Sequence, residues 1–189
     1  MIKTRHCVFE TNSSSTNTLS IYKNDDLDLF WNMLREKNQT ISVGVVDYKK
    51  IEDLEYETFV DIGKLDFQTR LDLLFLSRFI SYESVSFIGG FVTLISIFKS
   101  EKINVQIDVN YFVENESDFN WLLKDSDLLY YIKNYIKTKD DIGHFLSAEH
   151  GYFLSYEDDT TYNIDIDLGE FFKSYPKDKN NFIYKTDRK

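Results

Sequence analysis

One cysteine, one proline and only seven glycines occur in 189 residues. The single thiol, Cys7, excludes an internal disulfide, and its place beside Val8 and Phe9 in a strand-like run reads as a buried, inert group. So little proline and glycine leaves scant material for linkers. This predicts one compact domain over residues 1–176, with a polar, partly basic tail over 177–189. Long apolar runs are missing too. The longest, Val85 to Phe98, is broken by Ser86, Gly89, Gly90, Thr93 and Ser96, and falls short of the roughly 20 residues a membrane span needs. Met1-Ile2-Lys3 leads straight into polar and strand-like sequence, without the apolar core of a signal peptide. A cytoplasmic protein that avoids membranes is the expectation.

Positive charge is also in short supply. Twenty-two basic residues face 32 acidic ones, for a formal charge of −10. Phosphate backbones repel such a chain, which argues against direct nucleic-acid binding and leaves plain solubility or an acidic surface aimed at a basic partner. Familiar catalytic signatures are absent: no P-loop, Rossmann glycine pattern, nucleophile elbow or zinc pattern can be found. His144 and His150 stand six apart, whereas a metal pair on a helix wants three or four, so they read as surface histidines beside a turn. Glu157-Asp158-Asp159 and Asp165-x-Asp167 lack the glycine and terminal glutamate of a calcium loop. No cofactor is expected.

Aromatic residues, in contrast, abound, with 16 Phe and 13 Tyr. They point to a core rich in Phe with Tyr at its rim. Periodicity predicts strands at His6–Phe9 and Thr18–Tyr22, a helix from Asp25 to Lys37, and a strand at Ile41–Val46. An acidic loop with at most a turn of helix follows over Asp47–Gly63, then a helix from Asp66 to Ser81 with Asp66 as its N-cap. Residues 84–101 are apolar on nearly every side and fit either a buried helix or two strands; length favours the helix, with Gly89-Gly90 as a close-packing point. Further strands are predicted at Ile103–Val109, Tyr152–Tyr156 and Tyr162–Leu168, and a helix at Ser126–Ile136. The sum is α+β: a mixed or antiparallel sheet of five or six strands, with three or four helices packed mainly on one face.

Two stretches carry functional expectations. The first is Thr11 to Thr18, eight consecutive small or polar residues between apolar runs. Its hydroxyls, amides and backbone N–H groups suit a phosphate, sugar or peptide backbone, with Arg5 and Glu10 as the nearest charged helpers and Thr11, Asn12, Ser13, Ser14, Ser15 and Thr16 as ligand-binding candidates. A hairpin loop of turn formers has the same composition without any ligand. The second is acidic: Glu52, Asp53, Glu55 and Glu57, and separately Asp158, Asp159, Asp165 and Asp167. Such carboxylates are either a solvated face or the contact surface for a basic partner.

The run Val8-Phe9-Glu10-Thr11-Asn12-Ser13-Ser14-Ser15-Thr16 resembles the N-terminal signature of a family of poorly characterised phage and prophage proteins from Firmicutes-type hosts. The likeness covers about the first 21 residues and departs where the family carries a histidine, here Asn17. It implies a mobile-element context and a place in the host cytoplasm, with no established reaction. A small acidic, aromatic-rich protein of that origin is suited to binding and inhibiting a basic, nucleic-acid-handling host protein, in the manner of an anti-CRISPR inhibitor of a defence nuclease. The rival expectation is a nucleotide- or small-molecule-binding protein, or an enzyme, built on the serine-rich loop. Alanine at Ser13, Ser14 and Ser15 separates the two, since only the second loses its activity.

Overall fold

A computed structural model describes residues 16–37, 39–55, 59–79, 88–156 and 182–188. The chain starts with β1 (Thr16–Tyr22), α1 (Leu27–Lys37), β2 (Thr40–Val43), α2 (Tyr48–Glu55) and β3 (Phe59–Asp61). A 3-10 turn (Ile62–Lys64) leads to α3 (Phe67–Leu76), α4 (Ile88–Ser100), β4 (Asn104–Ile107) and α5 (Val109–Glu114). The remainder comprises α6 (Glu116–Asp125), α7 (Asp127–Tyr135), α8 (Lys139–Leu146), β5 (Gly151–Tyr156) and β6 (Phe182–Arg188).

The class is α+β, but the architecture departs from the expected one. The strands divide into an antiparallel sheet ordered β3-β5-β1-β6 and a separate parallel pair, β2-β4. Eight helices, not three or four, occupy the described residues. The discrepancy has a physical cause. Several of the unforeseen helices are short, α2 and α8 of eight residues and α5 of six, so each shows only two or three apolar repeats, too few to separate a helical period from a loop. The acidic stretch 47–63, expected as a loop, folds as α2, β3 and the 3-10 turn. Within the stretch expected as a tail, Phe182–Arg188 pairs along the whole of β1. The expected strands at 6–9 and 162–168 lie outside the described residues.

The apolar segment at 84–101 resolves as the helix α4. Gly89 is not a close-packing point: a methyl group there would meet nothing within 4 Å. Packing comes instead from Phe91, Leu94 and Phe98, all buried. Rings from four elements form a continuous chain, with Phe75 5.4 Å from Phe91, Phe91 5.2 Å from Phe112, and Phe112 5.6 Å from both Phe79 and Phe119. These contacts, edge-on or tilted except for the stacked pair of Phe79 and Phe112, use the ring quadrupole as well as the buried area. Among the described residues most phenylalanines lie in this core.

Helix α3 is the hub, and its polar residues are as buried as its apolar ones. Asp66 caps it, accepting from the Thr69 N–H at 2.7 Å. Arg70 is 8% exposed and donates from Nη1 to the carbonyls of Phe145 (3.4 Å) and Ala148 (2.5 Å) at the end of α8. Arg78, just beyond α3, donates from Nη2 to the carbonyls of Ile132 (3.5 Å) and Ile136 at the end of α7. The last carbonyls of a helix have no partner of their own and carry the negative end of its dipole. Two arginines of one segment therefore tie down the ends of two different helices.

Candidate functional site

The parallel pair ends in a groove. Strand β2 stops at Val43 because Gly44 turns the chain at φ +84°, a left-handed conformation that suits glycine. Asp72 of α3, 2% exposed, then gathers the next three backbone N–H groups: Gly44 at 3.0 Å, Val45 at 2.9 Å and Val46 at 2.8 Å. Gln68 Nε2 adds a fourth bond at 2.9 Å. Burial pushes the Asp72 carboxyl upward and these four donors pull it back. The loop so held turns Val45 outward, where it is 61% exposed.

Strand β4 stops one residue before Asp108, whose Oδ1 accepts from the N–H groups of Asn110 (3.0 Å) and Tyr111 (3.3 Å) and so starts α5. Between the two strand ends lies an open groove of about 480 Å³. Val45, Ile107 and Val109 line it with apolar surface over the buried Val43, and Ser42, Gln106, Asp108 and Asn110 supply polar groups. The carboxyl ends of parallel strands are a common place for binding, because loops and helix starts converge there. Asp108 is the one charged residue in the lining. Val109 (45% exposed) and Val113 (48%), a turn apart on α5, extend the apolar surface beside it. Beneath the groove, Tyr111 packs against Gly44, and among the described residues its buried hydroxyl finds no hydrogen-bond partner. Burial, with the charges of Asp72 and Asp47, pushes that phenol upward, so it stays protonated.

Of the acidic residues singled out in the sequence, Glu52, Asp53 and Glu55 fall on α2, which begins two residues after the loop that Asp72 fixes. Asp53 is exposed and Glu52 half-buried. Helix α2 is not purely acidic: Lys49 and Lys50 share it, and Lys50 Nζ is 2.8 Å from both Asp66 Oδ2 and Thr69 Oγ1. That contact and the Thr69 N–H hold the Asp66 carboxyl down at about 2. Glu57, Asp158, Asp159, Asp165 and Asp167 lie outside the described residues, as do Arg5, Glu10, Thr11, Asn12, Ser13, Ser14 and Ser15 of the loop. Thr16 opens β1, opposite Tyr156 and Arg188.

His144 is not a surface histidine beside a turn. It sits half-buried on α8, and its Nδ1 accepts from the Asn24 N–H at 3.0 Å, while Asn24 Nδ2 donates to Ser147 Oγ at 3.0 Å. Accepting at Nδ1 requires the neutral ring, and burial lowers its pKa accordingly. His150 is exposed. Among the described residues no group of three His, Cys, Asp or Glu side chains stands together to hold a metal ion, and no helix is long and apolar enough to cross a membrane.

Sequence reasoning missed the groove. Its trace was the pairing of Gly44 after a β-branched run with Asp108 between an alternating strand and a helix start, two breakers that only the parallel register brings together. No protein-family model, curated protein or solved structure matches this chain.

Proposed function

We propose that this protein is an acidic binding protein, and that its partner is a basic, nucleic-acid-handling host protein of the defence-nuclease type. The observation that supports this reading is the meeting of exposed valines with the Asp108 carboxylate in one groove. Val45 and Val109 flank Asp108 in the groove, and α2 with Glu52 and Asp53 follows directly from the same loop. Exposed valines supply contact area, carboxylates select for lysine and arginine, and a net charge of −10 steers a cationic partner in. The phage-like N-terminal signature supplies the mobile-element context, and with it the inhibitory role.

The test begins with capture from host lysate at low salt, and continues with the purified partner. Affinity should fall at least about tenfold between low and high ionic strength, as screening of exposed charges requires. Added duplex DNA or RNA should compete with the protein for the partner. Val45→Asp and Asp108→Asn should each weaken binding. An affinity unaffected by salt, by nucleic acid and by both substitutions overturns the proposal.

A further inference from the structure

The parallel pair has two outer edges, and the fold treats them differently. The bonds from Asn104 N–H to Gln39 O (2.8 Å) and from Asp108 N–H to Val43 O (2.9 Å) set the phase of the ladder. Ile41 and Val43 therefore face β4, while Ser42 faces away. That outer edge of β2 is capped by α3: Gln68 Nε2 donates to the Ser42 carbonyl at 2.9 Å, and Asp72 takes the Gly44 N–H. On β4 the Ile103 N–H also faces outward but is given to the Phe98 carbonyl at 3.0 Å, so the open edge is that of Val105 and Ile107. Among the described residues no third strand pairs with them and no side chain caps them.

We propose that β4 is a self-association edge, pairing antiparallel about Val105 with β4 of a second copy. The residues around Val105 read Lys102-Ile103-Asn104-Val105-Gln106-Ile107-Asp108. This run is self-complementary in the antiparallel sense. Lys102 of one copy falls opposite Asp108 of the other, Ile103 opposite Ile107, and Asn104 opposite Gln106. Opposite charges, apolar pairs and amide pairs are the combinations that stabilise directly opposed cross-strand positions. Val105 and its counterpart exchange both backbone bonds, because their N–H and C=O groups face the open edge.

The charged ends are available. Lys102 and Asp108 are exposed, and Asp108 uses Oδ1 for the α5 cap, which leaves Oδ2. Lys102 lies at φ +61°, at the end of the α4 turn, and its long arm covers the departure from strand geometry. The pairing is isologous and closes on itself, so it stops at a dimer. A strand of four residues buries less than a standard interface. The dimer is therefore weak and concentration-dependent.

Sedimentation equilibrium of the full chain over a wide concentration range tests this. The native protein should pass from monomer to dimer as concentration rises. Val105→Pro removes an N–H that faces outward and not toward β2, so it should abolish the dimer. Lys102→Glu and Asp108→Lys should each be monomeric alone, since each sets like charges opposite one another, whereas an equimolar mixture should form a heterodimer with both pairs attractive. Circular dichroism checks that each variant is folded. Should Asp108→Lys fail that check for want of its helix cap, Asp108→Ser keeps a capping oxygen and should weaken the native dimer. A native chain that stays monomeric up to about millimolar concentration, where even weak interfaces associate, overturns the proposal. So does a dimer that survives both Val105→Pro and Lys102→Glu.

Discussion

The carboxylate of Asp72 lies 3.0 Å from the backbone nitrogen of Gly44, 28 residues earlier in the chain, and the same side chain holds Val45 and Val46. One buried residue of the hub helix thus decides where β2 ends and which way Val45 points. Truncating it leaves three backbone N–H groups without their acceptor, that of Gly44 fully buried and those of Val45 and Val46 part-buried. Asp72→Ala should cost about 2–3 kcal/mol, the upper part of the range for stranding buried polar groups. Asp72→Asn retains one acceptor oxygen and should cost less. Urea denaturation followed by circular dichroism measures both; equal losses for the two variants would show that a single retained oxygen holds nothing and that the loop needs the whole carboxylate.

Gly44 itself is doubly constrained. Its φ of +84° disfavours any side chain, and a methyl group would stand 2.9 Å from Tyr111 Cδ1. Gly44→Ala should destabilise by about 1–3 kcal/mol from backbone strain and overpacking together. Pairing it with Tyr111→Ala removes the clash but not the strain, so the double variant should cost less than the sum of its parts. Strict additivity in thermal unfolding would sink the claim that the Tyr111 ring limits this position.

How much of this was legible beforehand depends on length and register. Asp66 read correctly as a cap, because an acid directly before a long 3.6-residue pattern is a strong local signal. The apolar stretch that became α4 also declared itself by length. The parallel pairing of β2 with β4 did not, since partners some 60 residues apart leave no mark in either strand's own alternation. Hence the groove at their ends was invisible. Buried Arg70 and Asp72 and half-buried Arg78 were hidden for another reason: each bonds to backbone groups of other segments, and charge in a helix pattern ordinarily marks the solvent side. His144 was misplaced because α8 is short and its partner, Asn24, is 120 residues away.

The contact between Asn24 and His144 predicts a pH dependence. The ring accepts at Nδ1 and is part-buried, so its pKa lies below the ordinary 6.5, with burial the main cause and Lys23 acting the same way; Asp140, Asp141 and Asp25 act in the opposite sense. Below 6.5 the unfolded chain takes up a proton that the folded one resists. The contribution is therefore complete above 6.5 and is lost as pH falls through that value toward the folded pKa. His144→Asn keeps an acceptor without the titration. Its stability should stay flatter between about pH 7.5 and about pH 5.5 than that of the native protein. Identical slopes for the two in chemical denaturation would refute the assignment.

Arg78 supplies the sharpest test of the hub. Its guanidinium sits among carbonyls, and among the described residues no carboxylate is bonded to it: it reaches Leu74 at 3.1 Å, Ile132 at 3.5 Å and Ile136, with the Ser77 hydroxyl beside them. Burial brings its pKa down to about 10, so it remains charged at neutral pH. A charge held by dipoles alone is stable only if those dipoles are fixed, and the carbonyl end of α7 is such a fixed array. Arg78→Met fills most of the volume while stranding the last carbonyls of α7, and should cost about 3 kcal/mol. Arg78→Lys keeps the charge but loses the fork that spans α3 and α7 at once, so it should fall between the two. The location of the damage is as telling as its size. Hydrogen exchange in Arg78→Met should accelerate most at Leu129 to Ile136, the end of α7 that the arginine holds, ahead of global unfolding. Uniform acceleration along the chain would mean that Arg78 contributes bulk to the core and anchors nothing.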